Sequence, residues 1–284
     1  MKNLIIPIDF SNESLAGLDL AMLFNNKQKT NIQMVYVQKK SSDYNSPGYY
    51  KEEKAFAEQQ FKKIVNKYTP RLKNDSKLKY IIKSGKIYRE IVGQVEAFND
   101  AMVIGSTHGA SGFEEFFIGS NAYKIISATH KPVMTIRSLE APGEIDKIVM
   151  PIDLTMDTRQ KVPYTTEIAQ LFDAEIHVIT VSSSKSKRIL DRLGAYASQV
   201  ENYVKAKKIK CKVKSFIGDN IVDLITVYAD SIDAGLISIM KEQPKSLTFI
   251  GNFTHSIISR SKVPVLAISA RETHIATGFS TSGG

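Results

Sequence analysis

The segment VIGSTHGASGFEEFFIGSNAYKII, Val103 to Ile126, holds the residues whose types and spacing best lend themselves to chemistry. An apolar run, Ala101 to Ile104, reads as a buried strand, and a loop bearing Gly105, Gly109 and Gly112 leads from it to Gly119-Ser120, where a helical pattern begins. Glycines in such a loop let the backbone take φ > 0 and let a ligand approach with no Cβ in the way. Ser120 or Asn121 is expected to cap the helix, whose free N–H groups and positive dipole end face the loop. Negatively charged oxygens, most simply those of a phosphate, suit that position. An ordinary strand-to-helix connection would use the same glycines, so on this ground alone both readings stand.

The elements that must position this loop are legible in the hydrophobic pattern. Short β-rich apolar runs alternate with longer helical ones, as in βαβ crossovers on a parallel sheet. In the first half, strands are expected at Leu4–Asp9, Ile32–Val37, Leu78–Lys83, Ala101–Gly105 and Val133–Arg137. Helices are expected near Ser14–Phe24, Lys51–Leu72, Ile87–Phe98 and Asn121–Thr129, the last stopped by Pro132. Lys39 to Tyr50 reads as a flexible excursion, Ser138 to Glu144 as an interdomain linker, and the tail 271–284, without periodicity, as loosely held.

The chain also repeats itself. NLIIPIDFS at Asn3–Ser11 matches KIVMPIDLT at Lys147–Thr155, so that Pro7 pairs with Pro151 and Asp9 with Asp153 at an offset of 144. LAMLF at Leu20–Phe24 matches EIAQLF at Glu167–Phe172, and FIGSNAYKIISATHKPVMTI at Phe117–Ile136 matches FIGNFTHSIISRSKVPVLAI at Phe249–Ile268. A tandem duplication of one unit follows, with domains at 1–138 and 145–270.

Composition narrows the class. With 43% hydrophobic and 24% charged residues, the chain reads as an ordinary globular protein, with no apolar window of about 18 residues that could span a membrane. MKNLIIPID is too short and too early interrupted, by Asp9, for a signal peptide, and the lone Cys211 fits a reducing cytoplasm; a cytoplasmic protein is the expectation. The net charge of +9 is concentrated in two segments: Lys51–Lys79 carries +5 and Lys185–Lys214 carries +8. Both also hold apolar residues at helical spacing, among them Phe61, Ile64 and Tyr68, and Leu193, Ala197, Val200 and Val204. A core-packed helix with a solvated lysine face is the simpler reading of each, a polyanion-binding face the other, and nucleic acid is not the expected partner.

The spacing Gly109, nine residues, Gly119-Ser120 resembles the nucleotide loop of the universal stress protein family, whose ATP-binding members carry G-x2-G-x9-G-[ST] between the fourth strand and the last helix. The first half of the motif departs by one: Gly105 stands four before Gly109, with Ser106 where the family has glycine. Either the loop holds an extra residue or Ser106 replaces a glycine. The resemblance implies two Rossmann-like, adenine nucleotide alpha hydrolase-like α/β domains, each a five-stranded parallel sheet in the order 3-2-1-4-5. In that order ligands sit at the switch between strands 1 and 4, beyond their carboxyl ends.

The resemblance further implies ATP, or AMP or ADP, with Mg2+ bridging the phosphates. The base would lie beside Pro7, Ile8, Asp9 and Val37, with Ile104, Gly105, His108 and Gly109 along the ribose and first phosphates and Gly119, Ser120 and Asn121 on the terminal ones. Asp9 has an equally good structural use, capping the first helix with Ser11 or Ser14. His108 lacks a paired carboxylate or nucleophile and reads as a hydrogen-bonder; no catalytic residue is assigned. Phe113, Phe116 and Phe117 read as loop anchors, and Glu114 and Glu115 are expected to face outward.

In the second half the matching stretch is SIMKEQPKSLTFIG, Ser238–Gly251, with no intervening glycine, Lys241, Glu242 and Pro244 where bare backbone is needed, and Asn252 in place of Ser120. One nucleotide site per chain is expected. Family members pair through their last strands, so Val133–Ile136 and Val265–Ile268 are expected to form an intrachain pseudo-dimer, with a homodimer as a further expectation. Three functions stay open: an ATP-binding regulatory module of the stress response, a nucleotide-free scaffold, and a slow ATPase or adenylyl-transfer enzyme. Against the last, the chain has no P-loop, no SGGxDS loop and no HIGH and KMSKS pair.

Overall fold

The computed structural model describes residues 1–39, 47–107, 118–137, 139–155, 157–242 and 252–270, and divides the chain into two compact units, the first Met1–Ala141 and the second beginning at Pro142. In the first unit β1 (Asn3–Pro7), β2 (Asn31–Lys39), β3 (Lys77–Gly85), β4 (Ala101–Ser106) and β5 (Val133–Ile136) form a parallel sheet in the order β3-β2-β1-β4-β5, the expected 3-2-1-4-5. Its helices are α1 (Asn12–Lys27), α2 (Pro47–Tyr68), α3 (Ile87–Glu96) and α4 (Ser120–Ala128). Right-handed crossovers put α1 and α2 over one face and α3 and α4 over the other. Covered on both faces, the central strands are continuously apolar: Leu4, Ile5, Ile6, Met102, Val103 and Ile104 are all buried.

The switch point is visible in the register. β1 pairs with β4 only through Asn3↔Ala101, Leu4↔Met102 and Ile5↔Val103, whereas its pairing with β2 runs on to Pro7↔Val35. The two strands part beyond Ile5 and Val103, and their carboxyl ends border a crevice.

The second unit repeats the plan with β6 (Lys147–Ile152), β7 (Glu175–Ser182), β8 (Cys211–Ile217), β9 (Leu236–Lys241) and β10 (Val265–Ser269) in the order β8-β7-β6-β9-β10. Its helices are α5 (Val162–Phe172), α6 (Lys187–Ala206), α7 (Ile221–Ser231) and α8 (Asn252–Arg260). β6 and β9 are paired only at Ile148↔Leu236 and Val149↔Ile237.

Both basic segments bury their apolar stripes: Phe61, Ile64 and Tyr68 on α2, and Leu193, Ala197, Val200 and Val204 on α6. The second helix runs Pro47–Tyr68 rather than Lys51–Leu72. Proline suits a first helical turn, and Pro70, with no N–H to donate, ends the regular helix in a 3-10 turn at Thr69–Arg71. Pro47 to Tyr50, read as part of an excursion, is thus helical; residues 40–46, residue 138 of the linker and the tail 271–284 lie outside the described residues. Among the described residues no helix is long and apolar enough to cross a membrane.

One polar pair differs instructively between the units. Gln94 on α3 donates to Gln33 on β2 at 2.8 Å. At the matching place in the second unit, buried His177 of β7 has Nδ1 2.7 Å from the Tyr228 hydroxyl of α7 and Nε2 3.1 Å from Glu175 Oε2. The carboxylate only accepts, so Nε2 carries the proton and Nδ1 accepts from Tyr228. Burial holds the His177 pKa below its ordinary value, with Lys212 and Lys147 adding to it and Glu175 opposing. The unfolded chain therefore takes up the proton first as pH falls through about 6.5, and the second unit loses stability there. Urea unfolding at pH 7.5 and 5.5 should show this loss, and a smaller one in His177→Gln, which reproduces the neutral pair of the first unit.

Candidate functional site

At the crevice of the first unit, β1 delivers Pro7 and buried Ile8, whose N–H donates to Val35 O at 2.9 Å. Buried Val37 lies on β2, and buried Ile104 and Gly105 on β4. Asp9 is exposed, and its Oδ1 accepts from the Ser11 N–H at 3.0 Å and from the Ser11 hydroxyl. Ser11 caps α1 by accepting from the Ser14 N–H at 3.2 Å. Between them Phe10 sits at φ 68°, its ring stacked on Tyr36 at 4.9 Å and edge-on to Phe61 at 5.1 Å. A left-handed phenylalanine is strained and is held by this packing.

The second unit has the same hydrogen bonds, without the left-handed middle residue: Asp153 Oδ1 accepts from the Thr155 N–H at 2.7 Å and from its hydroxyl at 2.6 Å. Because the arrangement recurs where the glycines are lost, the place of Asp9 is explained by the turn and does not by itself mark a ligand.

What differs is the far wall. Thr107 N–H donates to Ile136 O at 3.0 Å and Thr107 O accepts from the Gly119 N–H at 2.8 Å, which pins the start of α4 to the end of β4. Gly119 is the N-cap and offers no side chain, so the expected capping by Ser120 or Asn121 is not what forms: both lie inside the helix. Among the described residues no acceptor stands on the N–H groups of Ser120, Asn121 and Ala122. Those donors end a helix dipole next to the carboxyl end of β4. A Cβ on Gly119 would come within 3.1 Å of Thr107 O. His108 and Gly109, with Phe113, Glu114, Glu115, Phe116 and Phe117, lie outside the described residues.

Gly17, which the sequence reading passed over, also shapes the crevice. A Cβ there would meet Gly105 Cα at 3.2 Å, so α1 rides directly on β4. An isolated glycine inside a helical pattern is the signal that such a close approach leaves.

In the second unit the corresponding positions carry side chains. Thr165, which stands where the first unit has Gly17, has Oγ1 2.7 Å from Ser238 Oγ, and by the strand register Ser238 stands where the first unit has Ile104 and Ile239 where it has Gly105. The span from Asp153 to Phe172 is 19 steps, against 15 from Asp9 to Phe24, and the longer connection contains a three-residue 3-10 turn at Asp157–Arg159, with Arg159 and Lys161 buried. Arg159 Nη1 donates to Gln199 Oε1 at 2.9 Å, with its guanidinium 4.0 Å from the Tyr196 ring centre. Lys161 Nζ donates to Thr158 O and Oγ1, at 2.5 and 3.1 Å, and burial pushes its pKa down to about 7 against the pull of Asp153. Among the described residues no cluster of His, Cys, Asp and Glu could hold a metal ion.

Comparison with known proteins agrees with this architecture. The chain is similar to a universal stress protein from Archaeoglobus fulgidus DSM 4304, with TM-score 0.78 and 21% identity over 95% of this chain and 98% of that one. It is also similar to a putative universal stress protein from Pseudomonas aeruginosa UCBPP-PA14, with TM-score 0.68 and 16% identity over 95% and 93%. A shorter match, with TM-score 0.38 and 15% identity over 45% of this chain and 98% of the other, is the universal stress protein from Archaeoglobus fulgidus in complex with dAMP. No curated protein matches. The sequence profile of the universal stress protein family matches residues 1–137 and again 144–269, and the chain belongs to that family as a tandem member.

Proposed function

We propose that the first unit binds an adenine nucleotide, ATP or its shorter forms, and that the chain is a nucleotide-binding regulatory module with one site. The observation that carries this reading is the first turn of α4, whose Ser120, Asn121 and Ala122 N–H groups meet no acceptor among the described residues and which is pinned to the end of β4 by the Gly119–Thr107 hydrogen bond. Phosphate oxygens complete such a turn, and Gly119 and Gly105 keep it accessible. Ile8, Val37 and the Phe10 ring offer apolar surface beside Asp9, where the base is expected. The choice of adenine nucleotide is supported by the Gly109 to Gly119-Ser120 spacing shared with the ATP-binding members of the family.

Titration calorimetry with ATP and AMP tests the reading. One nucleotide per chain is expected, because the second unit lacks the loop glycines and buries Lys161 against Asp153. No binding overturns the proposal, and two nucleotides per chain overturn the assignment to the first unit alone.

A further inference from the structure

The second unit treats the same helix terminus differently. With Gly251 aligned on Gly119, Phe253 and Thr254 stand where Asn121 and Ala122 stand in the first unit. The Phe253 and Thr254 N–H groups donate to Glu242 Oε2, at 3.0 and 3.2 Å. The clasp is two-way: Glu242 N–H donates to Thr254 Oγ1 at 3.3 Å, and Thr254 is buried. Glu242 directly follows β9 and reaches amides 11 and 12 residues further on, so it is no N-cap residue of α8 but a carboxylate brought in from the strand end.

We propose that Glu242 is the resident anion of the second unit, an intramolecular substitute for the phosphate that the α4 turn is read to bind in the first; the analogy rests on that reading. A carboxylate presents two charged acceptor oxygens to helix-terminal amides, as a phosphate does. Its tether to β9 keeps it there at high effective concentration. Buried Lys161, bonded to Thr158, faces Asp153 just beyond the end of β6. The second unit therefore holds its bound form permanently, and only the first responds to the nucleotide level.

The experiment uses the full chain with Gly119→Val, which closes the first unit's seat, and measures hydrogen–deuterium exchange across α8 with and without inorganic phosphate. In this parent the Phe253 and Thr254 amides should be protected and indifferent to phosphate. Glu242→Ala should raise their exchange by ~10-fold or more, and phosphate at tens of millimolar should restore the protection. Glu242→Gln, which keeps an oxygen but no charge, should fall between. Exchange in Glu242→Ala at the parental rate overturns the proposal. So does a phosphate response already present in the parent, or a loss in Glu242→Ala that phosphate does not restore, which would make Glu242 an ordinary cap. Failure of ATP to protect α4 in the wild type would instead remove the reading of the first unit, leaving the α8 result intact.

Discussion

Gly119→Val is expected to weaken ATP binding by at least ~100-fold while the first unit stays folded. Two hydrogen bonds from backbone N–H groups to a charged phosphate contribute on the order of 3–6 kcal/mol between them. Each 1.4 kcal/mol lost is tenfold in affinity, so losing even the lower figure exceeds about 100-fold. Valine acts on this turn in two ways. Its Cβ comes 3.1 Å from Thr107 O, the carbonyl that accepts from the Gly119 N–H, and so pushes α4 away from the end of β4. Its methyl groups then cover the amides that follow. The conformation is no obstacle, since Gly119 sits at φ −55° and ψ 141°, where valine is comfortable. The stability cost is that of a poor N-cap, about 1 kcal/mol. Calorimetry measures the affinity and circular dichroism the fold. Gly119→Ala, with the Cβ alone, should fall between. Tight binding by a folded Gly119→Val protein would show that the α4 turn is not the phosphate seat.

The architecture was readable because both halves carry one pattern. Asn3–Ser11 and Lys147–Thr155 each give an apolar strand ending at a Pro-x-Asp turn, and β6 pairs with β7 and β9 as β1 does with β2 and β4. The strand order was not in the periodicity and came through the family resemblance. The positions of Ile8 and Gly105 at strand ends were legible because where a strand stops is a local matter, while their proposed roles came through the resemblance and the switch-point rule. Features that depend on what packs across from a residue were not legible. Ser120 looks like a cap in sequence, yet the Thr107–Gly119 hydrogen bond sets the helix entry one residue earlier. Gly17 matters only because β4 passes beneath it. Glu242 was read as an obstruction in the lapsed loop, and nothing local told that its carboxylate would bond Phe253 and Thr254. The four-residue lengthening before α5 was visible in the spacing, but not that it would carry Arg159 and Lys161 into the interior.

That buried lysine has the largest expected effect on stability. Lys161 is 1% exposed, and desolvation lowers its pKa from 10.5 to about 7, partly offset by Asp153. Between these values the unfolded chain binds a proton that the folded chain has released, so the stability of the second unit should rise with pH from about 7 to 10.5. At 1.36 kcal/mol per pKa unit the full span is on the order of 5 kcal/mol, and relaxation around the amine makes that an upper value. Lys161→Met removes the titration and keeps an unbranched chain of similar length in the same space. It gives up the hydrogen bonds to Thr158 O and Oγ1, at about 1 kcal/mol each, but Thr158 Oγ1 still accepts from the Asp153 N–H at 3.2 Å. The variant should therefore be more stable than the wild type at pH 7 by roughly 1–3 kcal/mol, in line with other replacements of buried charge by well-packed apolar groups. The gap should narrow as pH rises toward 9.5, where the wild-type amine is neutral in the fold at little further cost. Urea unfolding of both proteins at pH 7 and 9.5 measures it, and the difference between them cancels every other titrating group. Parallel pH dependence in the two proteins would mean that Lys161 keeps its proton in the folded state.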